Sequence, residues 1–300
     1  MNKLIPCYRG AVDAWECDQM GHMNVQFYTS KAIQAFGHLQ NSLGLTPAHI
    51  RQEKEGLRFK DVRIQYKAEV HAGSVLHGLA GIRQIEGENI KGFIQLFDTA
   101  FNRLSAAYEF TATYMDLEEH LPLALPAFLR EASEKMADSH SDMYQPAPFA
   151  GSKMPEKHLD NMFESARSSV DVWECDIFNQ VEMQHVIGYF SDAATHILGA
   201  VGLTRQAVRD RNLGSAALDY YSEFRAPIRM SSPIALRSGL MGAEGKIFRF
   251  GHNLVDLDTK KIAVTTTVLG CYFDMTLRKS VALPDEFTSF PKDRLLKING

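Results

Sequence analysis

The sequence predicts an α+β protein built twice, each half pairing one long helix with an antiparallel meander of strands. Three observations predict it. A seven-residue segment recurs, V-D-A-W-E-C-D at 12–18 and V-D-V-W-E-C-D at 170–176. Each occurrence is followed by apolar residues three and four apart, the signature of one buried helix face. Each helix is then followed by strand-like runs broken by short polar turns, which read as hairpins.

The recurrence extends well beyond the seven residues. At a constant offset of 158, 12 of 35 positions from Val12 to Thr46 are identical to those from Val170 to Thr204. About two would match by chance at average residue usage. The offset also pairs Tyr66-Lys67-Ala68 with Phe224-Arg225-Ala226 and Ala124-Leu125-Pro126 with Ala282-Leu283-Pro284. Such a period is too long for a solenoid repeat, so the reading is a duplicated domain.

Taken in order, 6–14 reads as a strand and 17–24 as a turn. The first helix then buries Val25, Tyr28, Ala32, Ala35, Phe36, Leu39 and Leu43. The second places Met183, Val186, Phe190, Ala193, Ala194, Ile197 and Val201 at the same spacing. Gly44 and Gly202 follow where a left-handed C-terminal cap wants glycine. After a short polar helix, strands are expected at 57–70, 74–85, 88–100 and 103–116. In the second copy they are expected at 215–228, 233–243, 246–258 and 261–275. The simplest assembly is a curved sheet wrapped around its helix. The predicted organisation is a first domain at 1–126, a connector at 127–160 that begins with a short helix, and a second domain at 161–300.

Composition excludes several classes of function. The 300 residues are 45% hydrophobic and 23% charged, ordinary globular usage, and no stretch approaches 18 apolar residues, so no membrane span is expected. The first residues lack the long apolar run of a secretory signal, and the cytoplasm is the expected address. A net charge of −4 argues against nucleic acid as a partner. Cys7, Cys17, Cys175 and Cys271 form no C-x-x-C pair and stand at no metal-ligand spacing to histidine, so reduced thiols and no metal are expected. Trp15 and Trp173 read as packing residues at a strand end, and His38 and His196 as satisfied structural histidines.

The segment W-E-C-D-Q-M-G-H-M-N-V-Q-F-Y, Trp15 to Tyr28, carries D-x-x-G-H-x-N immediately before the helix. The tail Arg278-Lys279-Ser280-Val281-Ala282-Leu283-Pro284 adds an R-K-x-x-x-L-P ending to the last strand. In both respects, and in the order of its elements, the chain resembles the hotdog-fold thioesterases of the 4-hydroxybenzoyl-CoA thioesterase branch. The resemblance covers both copies. It implies a tandem hotdog in which the two copies mimic the usual homodimer and active sites lie between hotdog units. It also implies hydrolysis of acyl-CoA or acyl-carrier-protein thioesters, with the acidic residue at Asp18 as nucleophile or general base. No cofactor is implied, since CoA enters as part of the substrate. Further pairing into a homodimer of double-hotdog chains is expected.

Read from the residues alone, Asp18 is a turn or capping aspartate; the resemblance makes it the catalytic candidate. Thioester hydrolysis needs a positioned carboxylate and a stabilised oxyanion, and a helix start favours both. The N–H groups of Met23, Asn24 or Val25 are candidate oxyanion donors, and Gly21 permits close backbone approach. His22 is a candidate to hold substrate or orient Asp18. Asn24 reads as an orienting group or as the helix N-cap, and Tyr28 as core or as a ligand contact. In the second copy Asp176 survives, but Gly21, His22 and Asn24 become Asn179, Gln180 and Glu182. Either that site is dead, the favoured reading, or Asp176 and Glu182 form a different one. Arg58, Lys60, Arg63, Arg225, Arg229 and Arg249 are candidates for the CoA phosphates. The leading expectation is an acyl-CoA thioesterase for a small or medium acyl group. A hotdog hydratase or dehydratase and a non-catalytic acyl-thioester binding protein are the alternatives.

Overall fold

The first strand, β1, spans Ile5–Ala11, with Cys7 its buried residue. A single 3-10 turn, Ala14–Glu16, then leads through a loop to helix α1, Val25–Ser42. A short helix α2 (Pro47–Glu53) precedes the strands β2 (Glu55–Tyr66), β3 (Val75–Glu86), β4 (Asn89–Asp98), β5 (Arg103–Asp116) and β6 (Leu121–Pro122). Helix α3, Ala127–Met136, closes this half and packs on β3. The second half repeats the order: β7 (Phe163–Ser169), α4 (Met183–Ala200), α5 (Arg205–Asp210), β8 (Leu213–Phe224), β9 (Pro233–Glu244), β10 (Ile247–Asp256), β11 (Ile262–Asp274) and β12 (Lys279–Ser280). A last turn of helix, α6, spans Asp285–Thr288. These come from a computed structural model that describes residues 4–138 and 140–298. The chain divides into two units, Met1–Ala147 and Pro148–Gly300, so the segment expected as a connector is shared between them.

Within unit 1 the strand order is β1-β3-β4-β5-β2, all antiparallel, with β6 on β5. Unit 2 has the matching order β7-β9-β10-β11-β8, with β12 on β11. The bulges repeat as well. The register slips between Ile82 and Gln84 in unit 1 and between Leu240 and Gly242 in unit 2, again 158 residues apart. The anticipated helix faces are buried at Tyr28, Ala32, Ala35, Phe36 and Leu39, and at Met183, Val186, Phe190, Ala193 and Ile197. Gly44 and Gly202 take φ of 96° and 91° after their helices, the left-handed cap that glycine accepts without strain.

Two polar devices in the cores were not anticipated. In unit 1 Lys31 lies on the buried face of α1, its Nζ 2.7 and 2.8 Å from the two carboxylate oxygens of Glu16 and donating to the Ala11 carbonyl at 3.2 Å. Glu16 in turn accepts from the Asp13 amide at 2.9 Å. This pair ties α1 to the turn after β1. In unit 2 Tyr189 occupies the lysine's place; burial, with Glu174 beside it, raises the phenol well above its ordinary pKa.

The second device is a chain of three side chains in unit 2. Ser165 Oγ donates to the Leu236 carbonyl at 3.2 Å and lies 2.6 Å from Ser238 Oγ, which is 2.8 Å from His252 Nδ1. A hydroxyl has one proton, so Ser238 gives its own to Ser165 and accepts from Nδ1–H. Burial pushes His252 down to about 3, so its ring is neutral. Unit 1 has Cys7, Ala80 and Ile94 at the equivalent positions.

His38 and His196, expected as satisfied structural histidines beside the core face, are exposed on the outer faces of their helices. Trp15 and Trp173, expected to pack, are 75% and 72% exposed. Each sits in its 3-10 turn, which rotates the side chain after Ala14 or Val172 away from the sheet.

Truncating one member of a buried ion pair strands the other, which typically costs about 3–5 kcal/mol. Lys31→Ala is therefore expected to lower the thermal unfolding midpoint by much more than Lys31→Tyr, the residue type of the second repeat, as followed by circular dichroism. A second expectation concerns pH. Unfolded His252 takes up a proton as pH falls through its ordinary 6.5, while the native ring does not until about 3. Stability from this group is complete above 6.5 and declines as pH drops towards 3, by about 2 kcal/mol between pH 6.5 and 5. Urea titrations at the two pH values should show that increment in the parent protein and lack it in His252→Ile.

Candidate active site

The loop between the 3-10 turn and α1 is closed by its own backbone. The Asp18 amide donates to the His22 carbonyl at 2.9 Å, and the Gly21 amide to the Asp18 carbonyl at 3.0 Å. Gly21 takes φ of 81°, which the tight return of the chain demands. Two further bonds pin the loop to its unit: the Met23 amide donates to the Val70 carbonyl and the Asn24 amide to the Glu16 carbonyl, both at 2.8 Å. Because Glu16 is the residue held by Lys31, the ion pair sets the loop's position indirectly.

On this frame Asp18 and His22 meet. Asp18 Oδ1 accepts from the Met20 amide at 2.8 Å, which fixes the carboxylate, and Oδ2 lies 3.5 Å from His22 Nδ1. His22 Nε2 is 3.7 Å from a carboxylate oxygen of Glu69. The imidazole thus stands between two carboxylates, only slightly exposed, with Asp18 reached by solvent over about a fifth of its side chain. His71 Nδ1, 2.8 Å from the Gly21 carbonyl, buttresses the loop from behind. Neither Glu69 nor His71 was anticipated; both follow the end of β2, and no sequence spacing links them to the motif.

The remaining candidates take more definite places. Asn24 is the N-cap of α1, its Oδ1 accepting from the Gln26 amide at 2.9 Å. Of the three oxyanion donors considered, Met23 and Asn24 have their amides bonded to carbonyls, which narrows the choice to Val25 at the first turn of α1. Met23 is itself buried, so its expected contact with substrate is not one its amide can make. Tyr28 is a clamp: its hydroxyl donates to the Ala68 carbonyl at 3.1 Å and accepts from the Val70 amide at 3.2 Å. Burial raises this phenol well above its ordinary value. Of its two readings, core or ligand contact, this placement fits the core one, with the hydroxyl holding the segment after β2 on the helix start.

The second repeat keeps the loop and loses the pair. Asp176, Asn179, Val181 and Glu182 reproduce the same main-chain bonds, to Gln180, Asp176, Ile228 and Glu174. Asn179 adopts φ of 58°, a conformation asparagine tolerates better than most residues, so the turn survives without glycine. Asp176 Oδ1 accepts from the Phe178 and Gln180 amides at 2.8 and 3.1 Å. The neighbouring side chain is Gln180 in place of histidine, and Pro227 stands where unit 1 has Glu69. Glu182 provides no side-chain cap to α4 and instead accepts from Gln184 at 3.1 Å.

Among the candidate cations, Arg225 is engaged by Glu156 at 3.1 Å and by Glu223, Arg63 donates to the Ala147 carbonyl, and Lys60 is exposed. Arg229 pairs through its backbone with Gln180 beside the second loop. Among the described residues no group of three or more histidine, cysteine or acidic side chains is placed to hold a metal, and no helix is long and apolar enough to cross a membrane. All four cysteines are free thiols.

Comparison with known proteins agrees with this architecture. The family profile of the thioesterase-like superfamily matches residues 12–133 and again 170–290. No curated protein is a significant match in sequence. Among solved structures, a protein described as an oleoyl thioesterase from Lactobacillus plantarum superposes with a TM-score of 0.71 at 12% identity, over 89% of this chain and 96% of its own. An acyl-ACP thioesterase from Bacteroides thetaiotaomicron gives 0.64 at 11% identity, over 90% and 98%. A 12:0-ACP thioesterase from Umbellularia californica gives 0.68 at 8%, over 90% and 95%. At such identities the likeness is one of fold, and the fold is the tandem hotdog. With both repeats matched by the family profile, the chain belongs to the thioesterase-like superfamily and is of the thioester hydrolase class.

Proposed function

We propose that the protein hydrolyses an acyl-CoA thioester of small or medium acyl length to the free acid and CoA, using the carboxylate of Asp18. The observation that carries this reading is the Asp18–His22 pair, 3.5 Å apart on a loop locked by four main-chain bonds, in a chain of this family. With Oδ1 occupied by the Met20 amide, Oδ2 is the oxygen left to act. As general base it takes a proton from water while the water oxygen adds to the thioester carbonyl; as nucleophile it makes that bond itself and water releases the acyl group afterwards. In either case the carbonyl electrons collect on oxygen, where the Val25 amide and the positive end of α1 stabilise them. The carbon–sulfur bond then breaks, and the thiolate leaves and is protonated. His22 orients the acting oxygen. CoA enters as part of the substrate and leaves as a product, and no resident cofactor is required.

One working carboxylate site per chain follows from the contrast between the repeats. Asp18→Asn is expected to lower kcat by about 10²–10⁴-fold in a thiol-release assay across an acyl-CoA panel, the usual contribution of a positioned acid or base. Asp176→Asn should stay within about twofold of the parent. Comparable losses in both would overturn the one-site reading. His22→Gln, which copies the second repeat, should cost about 10²-fold in kcat, as misplacement of a reacting group does, with the fold unchanged by circular dichroism.

A further inference from the structure

The repeats part company after their last strands. At the offset of 158, Ala127–Met136 corresponds to residues 285–294. In unit 1 that stretch is the unbroken helix α3, which packs on β3 and buries Leu129 and Ser133. In unit 2 Pro291 stands where unit 1 has Ser133. A proline has no amide to donate, its ring clashes with the carbonyl four residues earlier, and the residue before it is driven out of the helical region. Helix α6 accordingly stops at Thr288, and the chain resumes as a 3-10 turn at Lys292–Arg294. The interruption leaves a cleft of about 420 Å³, wholly inside unit 2, between the end of α4, the strands β7, β9 and β10, and the turn. Met162, Val201, Leu240, Phe250 and Phe290 give it an apolar lining.

The walls of the cleft are tied together. Asn161, at its rim, donates through Nδ2 to the Asp293 carbonyl at 2.8 Å and to the Leu295 carbonyl at 3.2 Å. The Leu296 amide donates to the Leu240 carbonyl at 2.8 Å. Its shape is thus set before a ligand arrives, which lowers the ordering cost of binding. Arg294 is the charged side chain of the lining, and among the described residues no acidic side chain joins it there. Its guanidinium carbon stands 5.1 Å from the centroid of the Phe290 ring, and among the described residues that guanidinium has no ion-pair or hydrogen-bond partner. The ring holds the cation in place, and its fork of N–H donors is left to an incoming group; that fork matches a carboxylate bidentately.

We propose that this cleft is a binding site for an alkyl monocarboxylate, its carboxylate on Arg294 and its chain along the apolar lining. A dry cavity of about 150 Å³ accepts the six carbons of benzene, so 420 Å³ has room for about seventeen non-hydrogen atoms at that filling. A carboxylate with a chain of about ten carbons stays within that bound. No residue of the site belongs to the aspartate loop of either repeat, and the site is complete within unit 2.

Decanoate titrated into the full chain, followed by the methyl NMR signals of Met162, Val201 and Leu240, tests the proposal. Saturable shifts at these methyls are expected. Decylammonium, with the same chain and the opposite charge, should bind at least tenfold more weakly. Arg294→Ala removes a charge-assisted pair and should weaken decanoate at least tenfold, with the circular dichroism spectrum unchanged. Each methylene that enters an apolar site contributes about fourfold, so affinity should rise from hexanoate to decanoate. Ala200→Phe, at the end of α4, fills the cleft and should abolish the shifts; if it fails to fold, Ala200→Leu should weaken binding severalfold. Absence of shifts in the parent overturns the proposal, and so does equal binding of decanoate by the parent and Arg294→Ala, or of decanoate and decylammonium by the parent. The readout is binding, so each outcome stands whether or not an acyl-CoA is turned over.

Discussion

The buried contact between Lys31 and Glu16 is the constraint on which the first repeat's site depends. A charge on the inward face of a helix is tolerated only if a counter-charge meets it. Glu16 is the residue that can do so, and it is also the acceptor of the Asn24 amide. One side chain thus fixes the distance between the turn after β1 and the first residue of α1, and the loop carrying Asp18 spans that fixed gap. The Met23–Val70 bond and the Tyr28 clamp supply the remaining restraint from the segment after β2. Loop shape is consequently decided by groups other than the Asp18 and His22 side chains.

The two repeats show which part of such a design is sequence-tolerant. Main-chain bonds recur at the same offset although Gly21, His22 and Asn24 are all replaced, because the bonds use amides and carbonyls that every residue supplies. Asn179 supplies the one backbone conformation that most residues would resist. Side-chain chemistry diverges where backbone geometry does not: the second loop is a faithful copy without an imidazole. In the core the divergence is complementary. The second repeat has the Ser165–Ser238–His252 chain where the first has Cys7, Ala80 and Ile94, and has moved its aromatic bulk along the helix.

Much of the fold was legible in the sequence. Periodicity marked the helix faces, glycines marked their ends, and the repeat itself required each half to have the same order of elements. Asp18, His22 and Asn24 stood out because they are local in sequence. What escaped was non-local or directional. Glu69 and His71 reach the loop from the far end of β2, and nothing in their spacing announces it. Lys31 reads as an interruption of an apolar face until its partner fifteen residues earlier is seen. Which amides near the helix start are still able to receive an oxyanion depends on Val70 and Glu16 carbonyls. Trp15 and Trp173 were misjudged because apolar character says what a side chain prefers, while a 3-10 turn decides where it points.

Those two tryptophans are the only ones in the chain, and each lies three residues before the aspartate of its repeat. The protein's intrinsic fluorescence therefore arises almost entirely beside the two loops and from water-exposed indoles. Its native emission should already be red-shifted and should change little when the cores melt. It would respond instead to whatever covers or quenches the turns, an optical probe of loop occupancy that requires no label.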